Sequence, residues 1–110
     1  MSTHQELAGG RWQTLTLLEQ LGNVGSEVGR AIRARARNDT PRFEGAFARG
    51  LELFDLTLAD RRWSLPRLRE IARAREVVCD FLVGDNDYGS TAESLDGYFL
   101  QFALAARRSR

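Results

Sequence analysis

The sequence predicts an all-α protein, a single-domain antiparallel four-helix bundle with up-down-up-down topology. Apolar residues recur at spacings of three and four over four segments, and no segment has the alternation that is typical of a strand. Capping residues and prolines mark the segment boundaries, and the short connecting loops favour antiparallel neighbours. A chain of 110 residues has room for one core. We therefore expect a tail at residues 1–10 and the bundle over residues 11–110.

The first helix is predicted from about residue 11 to residue 37, and it carries two apolar rows instead of one. The first row is Leu15, Leu18, Gly22, Gly25, Gly29, Ile32 and Ala36. The second row is Leu17, Leu21, Val24, Val28 and Ala31. A helix of an isolated small bundle needs one row, so two rows predict burial against two surfaces. We expect one of these surfaces to be another copy of the chain, contacted through the following residues: Leu17, Leu21, Gly22, Val24, Gly25, Val28 and Gly29.

Glycines within the predicted helices are the second unusual feature of the chain. They lie at positions 22, 25, 29, 45, 50 and 97. Each costs roughly 0.5–1 kcal/mol relative to alanine in a helix. Such a cost predicts a compensating close contact between helices. From the sequence alone, this contact lies either in the core of one bundle or between copies.

The remaining three helices are delimited by clear local signals. Thr40 followed by Pro41 predicts the start of the second helix, which is expected to end near Asp60. Ser64 is the predicted cap of the third helix, which is expected to stop at Gly84. The segment 90–93, Ser-Thr-Ala-Glu, predicts a capping box at the start of the fourth helix.

No catalytic or metal-binding constellation is predicted, and no cofactor is expected, so we expect a protein that is not an enzyme. The single histidine is His4 in the tail, which excludes the Glu-x-x-His ligand pairs of di-metal bundles. Cys79 is expected to be a small buried side chain. Four acids near the apolar rows are expected to pair with Arg30, Arg73 or Arg75; they are Glu27, Asp55, Glu76 and Asp80. No apolar run is long enough to span a membrane, and a cytoplasmic location is expected.

The charge of the chain is nearly balanced, with 16 basic and 15 acidic residues, and all 16 basic residues are arginines. In an antiparallel bundle, one end collects the start of the first helix, the turn between the second and third helices, and the C-terminus. We call this end the basic pole; its arginines are Arg11, Arg61, Arg62, Arg67, Arg69, Arg107, Arg108 and Arg110. The charges of the opposite end are expected to cancel.

Two arginines of the basic pole indicate an anionic partner. Arg67 and Arg69 occupy the first turn of the third helix, where the helix dipole disfavours a cation. Trp63, close to them in the sequence, either stacks on a nucleobase or caps the end of the bundle. We expect nucleic-acid binding through six residues: Arg61, Arg62, Arg67, Arg69, Arg107 and Arg108.

Several stretches of the chain resemble a family of uncharacterised bacterial cytosolic proteins. They are residues 21–31, 51–61, 75–81 and 88–91, together with Tyr98-Phe99. The resemblance implies a four-helix bundle assembled as a pentameric ring, with no established activity. The architecture is similar to that of the accessory variability proteins of diversity-generating retroelements, which are basic pentameric bundles that engage nucleic acid and reverse transcriptase.

Two functions are consistent with these patterns. The first is a non-enzymatic, homo-oligomeric adaptor whose basic pole contacts nucleic acid or a nucleoprotein. The second is a protein-only scaffold in which the arginines form ion pairs between subunits.

Overall fold

The computed structural model of the chain describes residues 10–108. Within that range the chain forms a short 3-10 turn, Trp12–Thr14, and four α-helices, with no β-strand. The helices are α1 (Leu17–Ala36), α2 (Thr40–Leu58), α3 (Leu65–Val83) and α4 (Ala92–Arg108). The predicted all-α four-helix bundle is therefore confirmed. Apart from Gly10, the predicted tail lies outside the described residues, as does Arg110 of the basic pole.

The start of α1 differs from the prediction, because the helix begins at Leu17 and not near residue 11. Thr16 and Glu19 form a capping box: the Thr16 hydroxyl accepts from the Glu19 amide at 3.1 Å, and the Glu19 carboxylate accepts from the Thr16 amide at 3.0 Å. The 3-10 turn before this cap folds over the end of the bundle and buries Trp12 completely. The tryptophan is thus part of the core without being part of α1.

The other helices begin at short polar side chains, as expected, with two shifts in position. Asp39, and not Thr40, caps α2 by accepting from the Arg42 amide. Ser64 caps α3, as predicted. At α4, Thr91 and Ser94 exchange side-chain to backbone hydrogen bonds of 2.9 and 3.0 Å, so the reciprocal cap lies one residue later than the predicted box. The hydroxyl of Ser94 takes the place that a glutamate has in the usual motif.

The central helix of the bundle is α1. It packs along α2 and along α4, and α2 packs against α3. A cleft of about 320 Å³ remains between α3 and α4, and its lining is mainly apolar, with Val77, Leu95 and Phe99 among its residues. None of the helices within residues 10–108 has both the length and the hydropathy required to cross a bilayer.

The position of α1 explains its two apolar rows without a second copy of the chain. Leu21, Val24 and Val28 are at most 3% exposed, because other helices of the same chain cover them. Gly29 is buried as well. The expected interface between copies is therefore corrected at these four positions, which belong to the core of one bundle. A helix with neighbours on two sides needs two apolar faces.

Two glycines of α1 lie where α4 comes closest. A Cβ atom at Gly25 would overlap Cβ of Phe99, and one at Gly22 would lie 3.5 Å from Cα of Ala103. The close contact that the glycines predicted is thus found within the chain. Gly22, Gly25 and Leu17 stay partly accessible, and their contact with another copy remains a prediction.

Candidate functional site

The basic pole is built on a buried carboxylate, Asp60, which is 3% exposed. The Arg62 guanidinium donates to it from Nε and Nη2, the latter at 2.7 Å, and Nε2 of Gln20 donates at 2.9 Å. These hydrogen bonds, chiefly those from Arg62, lower the pKa of Asp60 from its ordinary 3.8 to about 2, although burial acts in the opposite direction. The same contact raises the pKa of Arg62. Asp60 is therefore ionised and fixed at neutral pH.

Gln20 connects this ion pair to the aromatic residues at the end of the bundle. Its Nε2 also donates to the Trp12 carbonyl at 3.0 Å, and its Oε1 accepts from the Trp63 indole at 3.0 Å. The Trp12 indole donates to the Thr57 hydroxyl at 3.2 Å. Within the part of the chain that the structure describes, no buried polar side-chain atom lacks a partner. A polar network that is fully satisfied holds its elements in one arrangement, so the pole has a rigid framework.

The side chains of Arg62 and Trp63 both belong to this network. Besides binding Asp60, Arg62 donates to the Leu15 carbonyl at 2.7 Å, and its Cζ lies 4.3 Å from the ring centre of Trp63. The Trp63 ring therefore has its N–H engaged and one face covered by a guanidinium. Of the two interpretations of Trp63, capping of the bundle end is the one that its contacts support.

The other arginines predicted to bind nucleic acid are exposed. Arg67 lies 3.3 Å from Glu70, one turn along α3. Among residues 10–108, the remaining four have no carboxylate within ion-pair distance; they are Arg61, Arg69, Arg107 and Arg108. Arg61 lines a surface groove with Gln13, and Arg107 lines one between α1 and α4. Unpaired guanidinium groups are thus present on both the α2–α3 turn and the C-terminal end of α4.

The four acids that were expected to pair with arginines divide into two groups. Glu27 is held by Arg30 at 2.6 Å and by Arg49 at 3.1 Å, and Asp55 by Arg75 at 3.0 Å. The pairs of Glu27 with Arg30 and of Asp55 with Arg75 confirm the prediction. Arg49 is a partner that the prediction did not include.

The prediction is wrong for the other two acids, Glu76 and Asp80, which organise the loop between α3 and α4. Glu76 accepts from the Tyr88 hydroxyl at 3.0 Å. Asp80 accepts from the backbone amides of Asp87 and Tyr88. These donors take the place of arginines because the loop after Gly84 folds back on the last turns of α3.

Neither metal binding nor thiol chemistry is favoured by the side chains that the structure describes. Among residues 10–108, no three His, Cys, Asp or Glu side chains are gathered in a way that could hold a metal ion. Cys79 is half-buried instead of fully buried. Burial raises the pKa of its thiol, so the reactive thiolate is disfavoured.

A second concentration of arginines, which the sequence prediction missed, lies between α1 and α2. It lines a groove of about 460 Å³ at the end opposite the basic pole. We call it the arginine groove. Its walls are formed by Arg30, Arg33, Arg37, Arg42 and Arg49. Its other lining residues are small or compact: Ala34, Pro41, Gly45 and Ala46.

Glycines leave room for the side chains of the arginine groove. A Cβ atom at Gly29 would lie 3.1 Å from a terminal nitrogen of Arg33, and one at Gly45 would lie 3.2 Å from a terminal nitrogen of Arg49. Both guanidinium groups thus lie against bare helix backbone. Summing charge by bundle end hid this cluster, because acids of neighbouring loops cancelled the arginines. The spacing of three and four between positions 30, 33 and 37 is the signal that could have revealed it.

Comparisons of the chain with protein-family models, with curated proteins and with solved structures found no match.

Proposed function

We propose that the protein is a non-enzymatic adaptor that assembles from copies of itself and binds nucleic acid, free or within a nucleoprotein, through its basic pole. The observation that carries the proposal is the presence, at the basic pole, of exposed arginines without an ion-pair partner among residues 10–108, which include Arg61, Arg69, Arg107 and Arg108. Such a set suits a phosphate backbone, because each guanidinium is a planar fork that can bind one phosphate with two hydrogen bonds.

The Asp60 network supports the proposal by fixing the surroundings of these arginines. Arg61 follows Asp60 directly in the chain, so the network holds its backbone. Arg107 lines the same groove as Leu15, and the Leu15 carbonyl accepts from Arg62. The backbone of Arg61 is therefore held by the network, and Arg107 lines a groove next to it.

The position of Arg69 adds to this argument. It is the fifth residue of α3, just beyond the first turn in which the sequence placed it, so the helix dipole acts on it only weakly. Within residues 10–108, no carboxylate lies within ion-pair distance of Arg69. Its guanidinium is therefore open to an external anion such as a phosphate.

Self-assembly is supported by apolar surface on α4. Leu100 is 53% exposed and Leu104 is 40% exposed, and they lie one turn apart. A pentameric ring in the cytoplasm is the assembly that the sequence resemblance implies, and a ring would place several basic poles on one continuous surface. The summed potential of such a surface would attract a polyanion more strongly than a single pole does.

Fluorescence anisotropy of a labelled short DNA duplex tests the proposal. If about four arginines each release a counterion on binding, affinity should fall by roughly 100-fold between about 50 and 200 mM salt. The double variant R61A/R69A should reduce the slope of log affinity against log salt by about 2. The control R73A/R75A removes the same charge from the middle of α3. Undetectable binding at low salt, or equal slopes for the two double variants, would contradict the proposal.

The protein-only scaffold predicts a different result from the same samples. If the arginines join subunits through ion pairs, high salt should dissociate the oligomer while duplex binding is absent at every salt concentration.

A further inference from the structure

We infer that the arginine groove between α1 and α2 is a second anion-binding site, and that it takes a ligand with two or three phosphates within about 10 Å of one another. Consecutive phosphates of a nucleic-acid strand and a linear polyphosphate share this chemistry. The site lies at the opposite end of the bundle from the basic pole, so it does not depend on the function proposed for the pole.

The helix geometry sets the length of the site. Arg30 and Arg37 are seven residues apart at the C-terminal end of α1, and Arg42 and Arg49 are seven apart on α2. Seven residues of helix extend over about 10 Å. A linear triphosphate, or two to three successive phosphates of a nucleic-acid strand, fits within this length.

Both walls of the groove carry cations along this length. The short turn between α1 and α2 makes the two helices antiparallel, so Arg37 and Arg42 lie at the end near the turn. At the other end, Glu27 binds both Arg30 and Arg49 and thereby holds them across the groove. A phosphate chain in the groove would therefore meet guanidinium groups on two sides.

The positive charge of the five groove arginines is not balanced by the acidic side chains that pair with them. Three of its five arginines are paired, Arg30 and Arg49 with Glu27 and Arg42 with Asp39. Glu27 is largely buried, and it binds Arg30 with one carboxylate oxygen and Arg49 with the other. Its side chain therefore does not fill the groove. The side chains of the other two, Arg33 and Arg37, form no hydrogen bond or ion pair with any residue from 10 to 108. Their N–H donors are open to a ligand.

The shape of the site fits the same ligand. The volume of about 460 Å³ lies in the range of small-molecule sites. Ala34 and Ala46 are small and buried, so no bulky side chain fills the space between the two rows of arginines. The N-terminus of α2 and the C-terminus of α1 meet at the turn, where their helix dipoles oppose each other, so the positive potential of the site comes from its arginines.

Isothermal titration calorimetry on the full chain tests the site, with sodium tripolyphosphate and a short oligothymidylate as probes at one ionic strength. The variant R33A/R37A removes the two unpaired cations, and R73A/R75A, which also breaks the pair of Arg75 with Asp55, removes the same charge from the middle of α3 as a control. We expect R33A/R37A to weaken tripolyphosphate binding about tenfold or more, and the control to change it less than about twofold. Oligothymidylate binding with the same sensitivity would identify a nucleic-acid strand as a ligand; its absence would assign the groove to small polyphosphates.

The experiments distinguish an arginine groove that does not bind phosphates from a basic pole that does not bind nucleic acid. The inference that the groove binds phosphates is refuted if the wild-type protein does not bind tripolyphosphate, or if R33A/R37A binds it as tightly as the wild type does. It is also refuted if the control loses as much affinity. Loss of duplex binding in R61A/R69A with tripolyphosphate binding retained would support both sites. The single variant R37A, beyond the end of α1, gives the same comparison if the double variant is unstable.

Discussion

The contact between α1 and α4 predicts that Gly25→Ala destabilises the protein, although alanine is the better helix former. A Cβ atom at this position would overlap Cβ of Phe99 and lie 2.9 Å from its Cγ. These atoms lie at the base of a ring in a side chain that is 4% exposed and packed against Phe54 and Tyr98. The ring cannot turn away, so the two helices must separate.

The magnitude follows from two opposing terms. Replacing glycine with alanine inside a helix contributes up to about 1 kcal/mol of stability. Overpacking a dense core costs about 1–3 kcal/mol, and the overlap with Phe99 places this contact at the upper end. The net loss should be about 1–2 kcal/mol. For a domain of this size, that corresponds to a melting temperature about 4–8 °C lower.

Gly50→Ala provides the matched control. Gly50 also lies in the middle of a helix and is buried, but a Cβ atom there would lie 3.7 Å from Cβ of Glu27, which is an ordinary contact. This variant should gain about 0.5–1 kcal/mol. Urea unfolding followed by circular dichroism measures both changes. If Gly25→Ala were as stable as the wild type, or if the two variants shifted in the same direction, the assignment of Gly25 to a tight intrachain contact would be wrong.

Three further predictions concern the polar residues. Asp60→Asn should cost about 1.5–3 kcal/mol in urea unfolding, since it leaves the Arg62 guanidinium without its carboxylate; a loss below about 0.5 kcal/mol would contradict the role of the pair. Because folding lowers the pKa of Asp60 to about 2, its contribution to stability should be complete above its ordinary pKa of 3.8 and disappear as the pH falls to about 2. Unfolding curves of Asp60→Asn should show less of this acid dependence, and an unchanged dependence would refute the assignment. Burial, with Glu70 nearby, raises the pKa of Tyr98 to about 12, so an ultraviolet titration should lose its last tyrosinate step in Tyr98→Phe. A Tyr98 that ionises at its ordinary pKa of 10.0 would exclude the packing described.

Local signals in the sequence were sufficient for most helix boundaries. Ser64 before Pro66 and the polar cluster before α4 mark boundaries that depend on neighbours within three or four residues. The predicted start of α1 was wrong because Trp12 fits the helical spacing of the apolar residues. The burial of Trp12 is instead produced by contacts with Gln20 and with Thr57, and Thr57 is distant in the chain.

Contacts between distant residues account for what the sequence could not predict at the candidate sites. Gln20 meets Asp60 across 40 positions, and nothing in either segment specifies the partner. Arg62 therefore had the same sequence signature as Arg61, although one is bound to a carboxylate and the other is unpaired within residues 10–108. The arginine groove was missed for a related reason. Only the packing of α1 on α2 brings Arg33 and Arg49 to one groove, and a sum of charges over each end of the bundle does not show which helix face each arginine lies on.

Light scattering of the full chain at low and high salt, with and without a short duplex, tests the adaptor function most directly. We predict a particle whose mass is a multiple of 12.4 kDa, which gains the mass of bound duplex at low salt and loses it at high salt. A particle of 12.4 kDa that is unchanged by duplex at every salt concentration would contradict both the assembly and the nucleic-acid binding.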